Sequence, residues 1–88
     1  MSTLRLSGRE AAIVRAIGFA EPILGSEIQE WTHMELEDIT EALNGLLAAG
    51  YVESSPFRDK VQGDEIPDIN FELNPGYMQD LKEALYRR

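Results

Sequence analysis

Few residues in this chain are of the types that do chemistry, and their spacing rules out most of what they could do. The 88 residues include one histidine and no cysteine. No thiolate nucleophile is available, and a zinc site built on Cys and His has no ligand set. His33 stands alone in Thr32-His33-Met34, which reads as a turn. Asp59, Asp64, Glu65 and Asp68 crowd a stretch whose natural ion would be calcium. Their order fails the D-x-[DN]-x-[DN]-G loop, because Val61 and Gly63 fall on the middle ligand positions. They read as solvated surface carboxylates. No serine, histidine and carboxylate constellation is present, and no glycine-rich phosphate loop. The expectation is a protein that is not an enzyme and uses no cofactor or metal.

Binding is what remains, and charge constrains the partner. The net charge is −8 and the isoelectric point is near 4.5. Between Arg15 and Arg58 there is no lysine or arginine, while eight acids occupy the gap: Glu21, Glu27, Glu30, Glu35, Glu37, Asp38, Glu41 and Glu53. Nucleic-acid binding draws on phosphate neutralisation by a basic face. The cations available for that are Arg5 and Arg9 near one end, Arg58 and Lys60 in the middle, and Arg87 and Arg88 at the other end. The N-terminal ten residues lack an apolar run and a cleavage site, so a signal peptide is not expected. No stretch approaches the roughly 20 apolar residues of a membrane span. The default expectation is a cytoplasmic protein.

The elements that position these residues can be read from caps and periodicity. Ser7 with Glu10 makes a capping box, and Ile13, Val14 and Ile17 follow at helical spacing. A helix is expected over about 8–17, with Gly18 as a left-handed stop. Residues 19–25 form an apolar connector in which Ile23 or Leu24 packs inward as a short strand. Ser26 then reads as the cap of a second helix over 26–32, with Ile28 and Trp31 on its apolar side. Trp31 is expected to be half in the core, one edge free for a partner. The third helix, 35–49, places Leu36, Ile39, Leu43, Leu46 and Leu47 on one stripe. Its opposite side carries Glu37, Asp38, Thr40, Glu41 and Asn44. Tyr51 to Ser55 is a strand, and the polar stretch 56–68 is expected to be a flexible loop. The alternation from Asp68 to Leu73 is a second strand. Asn74-Pro75 starts a last helix whose apolar face is Tyr77, Met78, Leu81 and Leu85.

Two segments resemble a known family. Leu43-Asn44-Gly45-Leu46-Leu47-Ala48-Ala49-Gly50-Tyr51-Val52-Glu53 is similar to the end of the recognition helix in MarR-like and PadR-like winged-helix regulators. Phe71-Glu72-Leu73-Asn74-Pro75-Gly76-Tyr77 is similar to their strand-to-helix junction. The resemblance spans about residues 7–86. It implies one α+β, mainly helical domain over 1–88: a winged helix-turn-helix of three helices, a two- or three-stranded β-hairpin wing and a C-terminal helix. In DNA-binding members the third helix enters the major groove and reads bases mostly with Arg and Lys, then Asn and Gln. Here only Asn44 is of that kind, among Glu37, Asp38 and Glu41. The expectation is therefore an interaction module, connected with transcription regulation, that binds a basic protein surface through Trp31, Glu37, Asp38, Glu41 and Asn44. The alternative is a DNA-binding regulator that dimerises through the apolar face of its last helix. Its phosphate contacts would come from Arg5, Arg9, Arg58, Lys60, Arg87 and Arg88.

Overall fold

In the computed structural model, which describes residues 4–86, helix α1 (Gly8–Ile17) opens on a reciprocal cap. The Glu10 N–H donates to Ser7 Oγ (3.1 Å) and the Ser7 N–H donates to Glu10 Oε1 (2.9 Å). Two of the donors that a helix start leaves open are thereby paired. Gly18 ends the helix at φ 76° and ψ 177°. The positive φ fits a stop glycine, but the extended ψ is not the left-handed helical geometry expected of it.

Strand β1 (Ile23–Leu24) leads directly into α2 (Gly25–Thr32). Ser26 is not the cap. Leu24 occupies that position, and its N–H is held by the Glu27 carboxylate at 3.4 Å. The helix starts early because Gly25 is pinned from outside it. Its N–H donates to Ile69 O (2.9 Å), and a Cβ on it would run into the Ile66 backbone. Only glycine permits that approach. His33 closes α2 in the left-handed region, φ 58° and ψ 21°.

Helix α3 (Leu36–Ala49) ends at Gly50, φ 84° and ψ 9°, a left-handed cap. Ile39, Leu43 and Leu46 are fully buried. Leu36 and Leu47, expected to be buried with them, are only half-buried, and Ala42 lies in the core instead. The buried stripe is thus rotated toward Ala42, leaving Leu36 and Leu47 on its flank.

Strands β2 (Val52–Ser55) and β3 (Asn70–Leu73) pair antiparallel, and β1 joins the other side of β3, giving the order β1-β3-β2. A single 3-10 turn, Ile66–Asp68, interrupts the long β2–β3 connection. Asp68 therefore belongs to that turn and not to the strand. After β3 the Asn74 side chain accepts from the Gly76 N–H, a 3-10 turn covers Pro75–Tyr77, and α4 (Met78–Tyr86) follows.

The core joins α1, α2, α3 and α4 to one face of the sheet: Ile13, Val14, Ile28, Leu43, Phe71, Leu73 and Leu81 are all buried. This is an α+β fold of four helices and a small three-stranded antiparallel sheet. Among the described residues no polar or charged residue is buried, and no helix is long and apolar enough to cross a membrane.

Candidate interaction surface

Glu37 and Glu41 project from α3 into solvent, and Asp38 is half-buried beside them. Arg9 of α1 reaches across to this group. Its Nη2 lies 3.5 Å from Asp38 Oδ1 and its Nη1 lies 3.5 Å from Glu41 Oε1. Both pairs are open to water, so each contributes about 1 kcal/mol or less. Their consequence is electrostatic: Arg9, a candidate phosphate contact, spends its charge on two of the acids.

Asn44 does not belong to the free side of α3. Its side-chain amide closes a two-point clamp on Val61: the Val61 N–H donates to Asn44 Oδ1 (2.7 Å) and Asn44 Nδ2 donates to Val61 O (3.1 Å). Two residues on, the chain passes so close to α3 that a Cβ on Gly63 would lie 3.3 Å from Thr40 Oγ1 and 3.6 Å from Leu36 Cδ2. The segment 61–63 therefore covers one flank of the helix. What stays open on α3 is a narrow strip led by Glu37 and Glu41.

The stretch 56–68 is consequently not an unanchored loop. Val61 is 1% exposed and Ile66 is fully buried. Glu65 ties down the span between them. It accepts from the Gln62 N–H (2.8 Å) and from Arg58 Nε (3.1 Å). The Gln62 N–H, then the Arg58 guanidinium, hold its carboxyl below the usual range. Arg58, Lys60 and Arg5 are all exposed, and Arg58 is engaged by Glu65. Arg87 and Arg88 lie outside the described residues. Of the described cations of the DNA-binding alternative, Arg9 bridges α1 to α3, and Arg58 and Lys60 sit on the β2–β3 connection.

Trp31 is 70% exposed on the last turn of α2, so it is not half core. Phe57 is 75% exposed, and nothing in the sequence singles it out. A lone aromatic in Pro56-Phe57-Arg58-Asp59 has no periodicity to say whether it faces in or out. The apolar face expected to make a dimer is mostly spent inside the fold. Leu81 and Leu85 of α4 are buried, and Arg15 Nη2 donates to Leu85 O (3.4 Å). Tyr77 is partly exposed and packs its ring edge-on against Tyr51, centroids 5.0 Å apart.

No three His, Asp or Glu residues among those described are grouped to hold a metal ion. In comparison with known proteins, no family model, no curated protein and no solved structure matches the chain.

Proposed function

We propose that this protein is a winged-helix interaction module, connected with transcription regulation, that binds a protein partner with a basic surface. The element order α1-β1-α2-α3-β2-β3-α4, with β2 and β3 in the place of a wing, supports the winged-helix reading. The observation that carries the choice of partner is the state of α3. Its open strip presents Glu37 and Glu41, with Asp38 beside them and Arg9 as their cation, while the base-reading candidate Asn44 is consumed by Val61. A DNA duplex laid along that strip would meet carboxylates where phosphate contacts normally supply affinity. A basic protein surface would be steered to it, and Trp31 offers an aromatic anchor on the preceding helix.

The test is a pair of amide-shift titrations, one with a random-sequence duplex DNA and one with a lysine-rich peptide, at low and at physiological salt. The expected result is salt-sensitive shifts at residues 37–41 and at the Trp31 indole with the peptide, and none with the duplex. Changing Glu37, Asp38 and Glu41 to Lys should abolish the peptide shifts and create weak, salt-sensitive duplex binding. Micromolar duplex binding by the unmodified protein, with shifts on α3, would refute the reading.

A further inference from the structure

The sheet has an open edge, and its hydrogen-bond register shows which groups are unused. The Asn74 N–H donates to Tyr51 O (2.9 Å), and Val52 stands opposite Leu73. Antiparallel pairs alternate between hydrogen-bonded and non-hydrogen-bonded. The hydrogen-bonded pairs between β2 and β3 are therefore Tyr51 with Asn74, Glu53 with Glu72 and Ser55 with Asn70. Val52 and Ser54 turn their N–H and C=O groups outward. Among the described residues no backbone hydrogen bond joins those groups to another segment. The opposite edge is closed: β1 is two residues long, and the outward N–H of Leu24 is held by Glu27.

A groove lies against β2: Val52, Glu53, Ser54 and Glu72 line it together with Leu47 and Phe57. On the solvent face of the sheet Glu53 lies directly opposite Glu72. The hollow over this pair is lined also by Glu21 and, among the described residues, by no lysine or arginine. Arg58, the one cation that lines the groove among the described residues, is bonded to Glu65. Like charges directly opposite each other in a sheet are destabilising, and among the described residues no cation lining the hollow offsets this pair.

We propose that β2 is a docking strand for an extended segment of a partner protein that carries lysine or arginine at alternate positions. The segment adds a fourth strand to the sheet. Its backbone pairs with the outward groups of Val52 and Ser54, its basic side chains lie beside Glu53 and toward Glu72, and an apolar side chain packs on Phe57. Backbone pairing supplies affinity in such strand addition, and the alternate side chains supply selectivity. A second copy of this chain is a poor occupant, because β2 against β2 would bring Glu53 toward further acid at a net charge of −8 per chain. The site is distinct from the acidic strip of α3, although Leu47 of that helix lines its groove, and it stands whether or not that strip binds a partner.

The experiment is an amide-shift and hydrogen-exchange titration of the full chain with a blocked Val-Lys-Val-Lys-Val-Lys peptide and with its Val-Glu counterpart. The lysine peptide should move the Val52 and Ser54 amides and slow their exchange, while the glutamate peptide leaves them unmoved. Ser54→Pro removes an outward N–H without touching the β3 ladder, and should weaken the complex about tenfold. Glu53→Gln, which leaves the backbone free to fold as before, should weaken it several-fold and keep the wild-type spectrum elsewhere. Equal binding of both peptides, or β2 amides that do not respond, would overturn the proposal. Shifts confined to α3 and Trp31 would overturn it as well, while leaving the reading of α3 intact.

Discussion

Replacing Asn44 by alanine separates a structural clamp from a recognition residue. The substitution deletes two hydrogen bonds to Val61, at 2.7 and 3.1 Å, and leaves the N–H and C=O of a residue that is 1% exposed without partners. Each such bond contributes about 1 kcal/mol net, and an unpaired group at a buried position costs more than the mean bond. Alanine recovers roughly 0.5 kcal/mol through its better helix propensity. The balance is a destabilisation of about 2 kcal/mol, a large share of the margin of a small domain. With a urea slope of about 1 kcal/mol per molar for a chain of this size, the midpoint should fall by about 2 M. Urea unfolding followed by Trp31 fluorescence reads that shift, and hydrogen exchange at the Val61 amide reads the clamp itself. Asn44→Asp should do no better than alanine, because it sets a carboxylate oxygen against Val61 O where an amide donor stood. A midpoint within about 0.5 M of wild type, with Val61 protection unchanged, would refute the reasoning and return Asn44 to the surface available for partners.

Two further outcomes follow from the same connection. Gly25→Ala drives a Cβ into the Ile66 carbonyl and to 2.6 Å from its carbon, so it should cost about 2 kcal/mol or more and lower the melting temperature by roughly 10 °C in a calorimetric scan. Glu65 is depressed in the folded protein below its ordinary value of 4.5. Its contribution is complete above that value and is lost as pH falls through the lower native one; a carboxyl titration should show the Gln62 amide moving in step with Glu65, and a Gln62 amide that ignores the transition would contradict the assignment.

Local signals made much of the fold legible. The Ser7–Glu10 box, the Ile39-Leu43-Leu46 repeat, Gly50 and the Asn74-Pro75 start all depend on residues a few positions apart. They mark α1, α3 and the 3-10 turn that leads into the last helix without reference to anything distant. The charge of the α3 strip was legible for the same reason: Glu37 and Glu41 lie four apart, one helical turn on the same side. Where the sequence misled, a partner far along the chain had intervened. Ser26 is an ordinary cap residue, but Gly25 is fixed by Ile66 and Ile69, and the helix begins there. Residues 56–68 are polar in composition, yet Val61 and Ile66 reach the core and order the segment between them.

The sequence alone determined the class of elements, the acidity of the third helix and the lack of a cysteine- or histidine-based site, because propensity, capping, periodicity and composition are properties of neighbours or of totals. Tertiary structure alone decided which side of that helix is open. The seventeen-residue separation of Asn44 and Val61 carries no local signature, and neither does the register that sets Glu53 opposite Glu72 or turns Val52 and Ser54 outward. Such pairings depend on how distant segments share one core, and burial of Phe71, Ile66 and Val61 fixes them only once the whole chain has closed.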